Sequence, residues 1–142
     1  MPAGVPTQHD DPKQSPKKRI LIVEDDALNR RLLCDLLQAH GYAAIAADTG
    51  AAALALALAE QPDLILLELQ LPDLSGYEIA RRLKRDPAMR TVPIIAVTGF
   101  ALPDDERKAL ASGCDFYVAK PIRLRRLLDM VAGFLGAPRV PG

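Results

Sequence analysis

Carboxylate side chains that could bind a metal ion stand at the ends of two apolar runs. Glu24 and Asp25 directly follow the run at 20–23, and Glu68 follows the run at 64–67. Clustered carboxylates repel one another and resist simultaneous ionisation. A hard cation such as Mg²⁺ relieves this repulsion because it prefers oxygen ligands. If the fold brings the three side chains together, the sequence predicts a cation site.

A hydroxyl and an ammonium group follow two later apolar runs. Thr98 and Gly99 come after one of them, and Lys120 comes after the other, immediately before Pro121. The ammonium could also relieve the repulsion among the carboxylates. Mg²⁺ often takes phosphate oxygens as further ligands, and a hydroxyl with a cation on the far side would complete a site for a phosphoryl group. These residue types together favour a metal-and-phosphate pocket.

The elements that must position these residues alternate between strand and helix. The predicted strands cover 19–24, 42–47, 63–68, 91–97 and 114–119, and the predicted helices cover 27–40, 49–60, 77–84, 103–111 and 122–135. Runs such as ILIV and LILL are continuous rather than alternating, which is typical of strands buried on both faces. The pattern predicts an α/β fold of the flavodoxin-like kind, a doubly wound five-stranded parallel sheet of order 2-1-3-4-5 with helices on both faces.

This topology gathers the chemical residues at one edge of the sheet. In such sheets, ligands bind beyond the carboxyl ends of the strands, where the strand order switches. The first and third strands are neighbours in the predicted order. We therefore expect Glu24, Asp25 and Glu68 to lie close together.

Length and charge narrow the possible functions. The chain has 142 residues, 49% of them hydrophobic, and 18 Lys and Arg balance 18 Asp and Glu. That length suits one domain, and the zero net charge gives no field that favours nucleic acid or an anionic membrane. The apolar runs are too short to span a bilayer, and the N-terminus lacks a signal-peptide pattern. These features predict a cytoplasmic protein in which Cys34 and Cys114 are reduced core residues.

Four motifs resemble the receiver domain of two-component response regulators. They are ILIVEDD at the first strand, DLILLELQLPDLSG around the third, PIIAVTG at the fourth and YVAKP at the fifth. The stretches LNRRLL and GCDFYVAKPI look most like the small single-domain receivers of the DivK type. The resemblance implies a CheY-like receiver domain over residues 18–136. Residues 1–17, with four prolines, and residues 137–142 are predicted to be disordered tails.

The resemblance also implies partners rather than an enzymatic activity. A sensor histidine kinase or a histidine phosphotransferase would bring the phosphoryl group. A downstream protein would bind the face formed by the fourth helix, the fifth strand and the fifth helix. No role with nucleic acid or a membrane is expected.

The resemblance assigns roles to individual residues of the pocket. Asp25 would coordinate Mg²⁺ directly, Glu24 would act through water, and the backbone carbonyl of Gln70 would be a further ligand. Thr98 would bind the phosphoryl group together with the adjoining Gly99 and pull the following loop inward.

Two more residues belong to the implied switch. Tyr117 would swing inward as Thr98 moves, and Lys120 would pair with the phosphoryl group. The peptide bond between Lys120 and Pro121 is expected to be cis.

Glu68 departs from the family pattern, which has a phospho-accepting aspartate at this position. The added methylene moves the carboxylate outward by about 1.5 Å, and a misplacement of about 1 Å can slow a transfer by about 10²-fold. Glu68 could imitate the phosphorylated state through Lys120 and Thr98 as a phosphomimetic or pseudo-receiver. It could instead pair with Lys120 and hold the inactive state.

Two other functions compete with this interpretation. One is an active receiver that is phosphorylated slowly on Glu68. The other is a flavodoxin-like cofactor carrier or enzyme, but the carboxylates of the first turn would repel a flavin phosphate.

Simpler structural roles are predicted for several other polar residues. Asp26 is expected to cap the first helix, and Asp73 is expected to be a turn residue. The basic run at 81–85 is most simply a solvated helix face. Three arginines at 123, 125 and 126 begin the last helix and could face a partner.

Overall fold

The computed structural model describes residues 17–99 and 102–136, which form one α/β unit. Strands and helices alternate along this part of the chain. The strands are β1 (Arg19–Val23), β2 (Ala43–Ala47), β3 (Leu64–Glu68), β4 (Ile94–Thr98) and β5 (Phe116–Ala119). The helices are α1 (Ala27–Ala39), α2 (Gly50–Glu60), α3 (Gly76–Arg85), α4 (Asp105–Ala111) and α5 (Leu124–Leu135).

The five strands form one parallel sheet in the order β2-β1-β3-β4-β5. This confirms the order predicted from the sequence. In the register of the sheet, Val23 lies opposite Leu67, Glu68 lies opposite Val97, and Thr98 lies opposite Ala119. The carboxyl ends of β1, β3, β4 and β5 therefore meet at one edge.

A separate hydrophobic layer covers each face of the sheet. Helices α2, α3 and α4 pack on one face through residues such as Ala57, Ile79 and Ala109. Helices α1 and α5 pack on the other through Leu37 and Leu127. Because both faces are covered, β3 and β4 are buried along their whole length. This burial explains their continuous apolar runs, and each buried Leu or Ile contributes about 1.5–3 kcal/mol.

Two helices begin two residues later than the sequence predicts. Helix α4 begins at Asp105 and not at Pro103, and α5 begins at Leu124 and not at Ile122. The Asp105 carboxylate accepts a hydrogen bond from the Leu102 amide at 2.8 Å, and the Asp105 amide donates to the Leu102 carbonyl at 3.0 Å. These bonds close a turn before the helix, so Pro103 lies in that turn.

Two strands also begin two or three residues later than predicted. Strand β4 begins at Ile94 because Pro93 has no N–H and the Val92 amide donates to Met89 in a turn, at 3.1 Å. Strand β5 begins at Phe116 because the Cys114 amide still donates to Ala109 of α4, at 3.0 Å.

The remaining global predictions are met in part. Both cysteines are free; Cys114 is buried, whereas Cys34 is only partly buried. Burial raises the pKa of the Cys114 thiol to about 12, so the thiol stays protonated at neutral pH. Within the described ranges, no helix has the length and apolarity needed to cross a membrane. Apart from Lys17, the predicted tails lie outside the described residues.

Candidate functional site

Three polar side chains at the ends of neighbouring strands are almost completely buried. Glu24 directly follows β1, Glu68 ends β3, and Thr98 ends β4, and these residues are 3%, 5% and 1% exposed. Buried polar groups persist when they are paired or hydrogen-bonded. Their position at the carboxyl ends of adjacent strands is the one that the sequence predicts.

Lys120 pairs with both carboxylates. Its Nζ lies 2.7 Å from Glu24 Oε1 and 2.6 Å from Glu68 Oε1. The second oxygen of each carboxylate accepts a backbone N–H, that of Asp26 for Glu24 and that of Gln70 for Glu68, both at 3.1 Å. Each buried carboxylate therefore has one cationic and one backbone partner.

The ionisation of this cluster follows from burial and from its pairing. Burial raises the pKa of Glu24 above its ordinary value of 4.5, although the bonds from Lys120 and Asp26 oppose the rise. Burial alone would lower the pKa of Lys120, but its bonds to Glu24 and Glu68 outweigh burial and raise that pKa. Lys120 thus stays charged at neutral pH, and one positive charge faces two carboxyl groups.

The residues predicted to hold Mg²⁺ line a common cleft of about 230 Å³. Glu24 and Glu68 form its buried side, while Asp25 and Gln70 are exposed at its rim. Carboxylates and a backbone carbonyl are hard oxygen donors, which Mg²⁺ prefers. A second cation would also relieve the excess of negative charge around Lys120. The donor set therefore fits a magnesium ion.

The acidic and basic side chains alone do not make a complete metal site. Among residues 17–99 and 102–136, no group of three or more His, Cys, Asp or Glu side chains is arranged to hold a metal ion. Mg²⁺ commonly uses only one or two carboxylates and keeps several waters. Binding here would accordingly depend on the Gln70 carbonyl and on water.

The structure brings part of the predicted switch to this cleft. Gly99 and Lys120 line it, and the backbone of Lys120 is anchored to Thr98 by an N–H···O bond of 2.8 Å, whereas Tyr117 does not line it. The peptide bond between Lys120 and Pro121 is cis, as the sequence predicts. Tyr117 packs against the layer beneath α2, α3 and α4, and its buried hydroxyl has no hydrogen-bond partner among the described residues.

Asp26 and Asp73 are both capping residues, and only the first was predicted as one. Asp26 caps α1 by accepting the amides of Leu28 at 3.0 Å and Asn29 at 3.5 Å. Asp73 was predicted to be a turn residue, but its side chain reaches out of its own loop. Its carboxylate accepts the first two amides of α2, those of Gly50 at 2.8 Å and Ala51 at 2.9 Å.

The basic run of α3 is only partly a solvated face. Arg81 and Arg82 bond to Glu78 at the surface, at 3.1 Å and 2.9 Å. The prediction of a solvated side chain is wrong for Lys84. Its Nζ donates to the Val92 carbonyl at 2.9 Å and pairs with Asp115 at 3.1 Å. The Lys84 ammonium also donates to the Arg90 carbonyl at 3.3 Å, so it binds the turn that precedes β4.

Arg30 and Asn29 also lie at the site, although the sequence pattern did not predict them there. Arg30 donates to the Glu24 carbonyl at 2.8 Å and so holds the chain where it leaves β1, while Asn29 lines the cleft. Both belong to the first turn of α1, immediately after the Asp26 cap. The position of that cap is the signal that could have identified them, because a helix that starts there turns its first residues toward the pocket.

Known proteins similar to this chain identify its family. Residues 20–132 match the family model of the response regulator receiver domain. The polar-differentiation response regulator DivK of Brucella ovis is 44% identical over 119 residues, which cover 84% of this chain and 97% of that protein. DivK of Brucella suis gives the same values.

Solved structures show the same fold. A CheY-like receiver domain from Methanospirillum hungatei is 31% identical, with a TM-score of 0.79 over 83% of this chain and 93% of that one. The receiver domain of a sensor histidine kinase from Pseudomonas aeruginosa is 32% identical, with a TM-score of 0.79 over 85% of this chain and 99% of that one. The latter structure has a magnesium ion coordinated in its active-site cleft.

Proposed function

Because this chain belongs to the response regulator receiver family and is homologous to DivK, we propose that it signals through protein–protein contact in a two-component phosphorelay, with Glu68 in place of the phospho-accepting aspartate. The observation that carries this proposal is the pairing of Glu68 Oε1 with Lys120 Nζ at 2.6 Å. In receivers, the lysine at this position would pair with the phosphoryl group. The Glu68 carboxylate thus takes the lysine partner that phosphorylation would otherwise supply.

We propose further that Glu68 imitates the phosphorylated state. The resemblance implies that Tyr117 turns inward in that state, and the buried hydroxyl of Tyr117 supports it. A carboxylate carries less charge and fewer oxygens than a phosphoryl group, so the imitation is partial. The competing idea, that the same ion pair holds the inactive state, predicts instead a tyrosine that points to solvent.

Magnesium has a defined place in this proposal. Asp25 would bind it directly, Glu24 would act through water, and Gln70 would offer its carbonyl. When bound, the ion would neutralise the carboxylates and polarise a phosphoryl oxygen. The buried bond between Glu24 and Lys120 keeps that carboxylate oriented toward the cleft. We propose a signalling role and no enzymatic activity for this chain, because its family is one of signalling receiver domains.

A groove beside the pocket suits the approach of a partner. It has a volume of about 450 Å³, and apolar residues from α1 and from the segment after β5 line it together with Glu24 and Lys120. Leu32 and Leu124 in this groove are 56% and 52% exposed. A helix of a sensor histidine kinase or histidine phosphotransferase could pack there with its histidine over Glu68. We place this encounter in the cytoplasm.

Intact mass measurement after incubation with acetyl phosphate and Mg²⁺ tests the role of Glu68. We expect no added phosphate on the parent protein, because the glutamate carboxylate is displaced from in-line geometry. We expect the Glu68→Asp variant to gain one phosphate. A phosphate on Glu68 of the parent would refute the proposal and support the slowly phosphorylated receiver. Family membership gives the flavin-carrier alternative no support.

The Glu68→Gln variant tests whether the glutamate imitates the phosphorylated state. The amide keeps the shape of the side chain but loses the charge that pairs with Lys120. We expect the Tyr117 ring to move toward solvent, which NMR of its ring protons would detect. A ring that stays buried in this variant would show that the charge of Glu68 does not set its position.

A further inference from the structure

The loop after β3 carries Gln70, and both of its ends are fixed by hydrogen bonds. At its start, the Leu69 amide donates to the Val97 carbonyl at 3.0 Å, and the Gly76 amide closes the loop by donating to Leu69 at 2.8 Å. Neither bond restrains the tip of the loop, between these two anchors. Gln70 itself donates its N–H to Glu68 Oε2 at 3.1 Å. Hydrogen exchange of this N–H therefore reports directly on the pocket.

Asp73 restrains the tip. Its two carboxylate oxygens accept the Gly50 and Ala51 amides of α2, which are more than 20 residues earlier in the chain. These N–H bonds hold the pKa of the Asp73 carboxyl below its ordinary range, so the group remains an acceptor at neutral pH. The amide of Ala52 is capped separately by Thr49 Oγ1 at 3.1 Å, which leaves the first two amides to Asp73.

The contact between loop and helix is close as well as polar. A Cβ placed on Gly50 would lie 2.9 Å from Leu74 Cβ and 3.2 Å from Asp73 Oδ1. Glycine at this position therefore lets the loop seat directly on the helix terminus. Only Leu71 and Pro72 separate Gln70 from Asp73. The fixed φ of proline reduces the number of backbone conformations that this short segment can adopt.

From these contacts we propose that Asp73 is a positioning residue of the metal pocket: its clamp onto α2 fixes the loop so that the Gln70 carbonyl faces the Mg²⁺ position. This inference rests on the proposed function, because it takes Gln70 as a metal ligand. Partners that orient a metal ligand typically change metal affinity by about 10–100-fold when they are removed. Through this clamp, the first residues of α2 also support the pocket, although α2 contributes no metal ligand.

Two alanine variants at the same helix terminus separate positioning from simple loss of stability. Asp73→Ala releases the loop and uncaps two amides, whereas Thr49→Ala uncaps one amide of α2 and leaves the loop clamped. We expect Asp73→Ala to weaken Mg²⁺ binding about 10-fold in calorimetric titration and Thr49→Ala to leave it unchanged. The Asp73→Asn variant keeps one acceptor oxygen and should restore part of the affinity.

A second readout needs no metal. Hydrogen exchange followed by NMR should show faster exchange of the Gln70 N–H in Asp73→Ala than in the parent or in Thr49→Ala. If Asp73→Ala keeps the parent's Mg²⁺ affinity, the proposal is overturned. If Asp25→Asn binds Mg²⁺ as tightly as the parent, the proposed metal site fails instead, and the Gln70 exchange alone then decides whether Asp73 positions the loop.

Discussion

At the scale of single residues, the charge balance of the pocket depends on Lys120. Its ammonium is the group that both buried carboxylates share, at 2.7 Å and 2.6 Å. Removing one partner of a buried ion pair is costly because the remaining charge stays desolvated. Here one removal would leave two carboxylates facing each other.

We predict that Lys120→Met lowers the free energy of unfolding by about 3 kcal/mol at neutral pH. The pKa of Glu24 is already raised above 4.5 by burial, and loss of Lys120 would raise it further. A carboxyl whose folded pKa is raised costs stability as the pH rises from the unfolded pKa through the folded one. The loss should therefore be small near pH 4.5 and should grow toward neutrality.

Urea denaturation of both proteins between about pH 4 and pH 8 measures this dependence. Lys108→Met is the matched control, because Lys108 is an exposed lysine on α4. Its effect should stay within about 0.5 kcal/mol at every pH. A loss in Lys120→Met that did not change with pH would argue against carboxylate repulsion as its cause.

At the scale of elements, the end of β3 and the start of α3 are in direct backbone contact. A Cβ on Gly76 would lie 2.6 Å from the Glu68 carbonyl oxygen and 2.7 Å from Leu69 Cα. Both neighbours are backbone atoms, which cannot move away as a flexible side chain could. The glycine therefore sets how closely α3 approaches the strand that ends in Glu68.

We predict that Gly76→Ala destabilises the protein by about 1–3 kcal/mol, since overpacking forces backbone shifts. Gly133→Ala is the matched control, because nothing lies within 4 Å of its added Cβ. Gly133 is exposed in the last turn of α5, where alanine should stabilise by about 0.5 kcal/mol. Thermal unfolding measures both changes. Equal effects of the two variants would mean that the contact between α3 and β3 can relax.

Local pattern was sufficient to predict which elements exist, because continuous apolar runs and helical spacing reflect the buried layers on each face. The local pattern was not sufficient to predict the residues at which these elements begin. The turn before α4 is closed by the Asp105 side chain, which accepts the Leu102 amide. Hydrophobic periodicity does not predict such a hydrogen bond. The roles of Asp73 and Lys84 were missed for the same reason, since their partners are distant in the chain or are backbone groups.

At the scale of the whole molecule, strand order determined the site. The order of the sheet places Glu24 and Glu68 at the carboxyl ends of adjacent strands, so the rule for parallel sheets located the pocket from the sequence alone. The sequence did not show which group in the pocket pairs with Lys120, because a lysine at that edge could bind a carboxylate or a phosphoryl group. Only the three-dimensional distances show that Lys120 holds both carboxylates.

The groove beside the pocket should distinguish a protein phosphodonor from a small one. Leu32 lies in this groove and is 56% exposed, whereas Leu58 lies on α2 and is 49% exposed. In a Glu68→Asp background, we predict that Leu32→Asp slows phosphoryl transfer from a phosphorylated cognate histidine phosphotransferase about 10-fold, because a charge would be buried on docking.

The Leu58→Asp variant in the same background should accept the phosphoryl group as fast as the Glu68→Asp protein alone. Labelling by acetyl phosphate, followed by intact mass, should be unchanged in both variants, since a small donor reaches the pocket without covering the groove. Equal slowing with both donors would place the effect of Leu32 in the pocket itself. Unchanged transfer from the protein donor would place docking on another surface of the molecule.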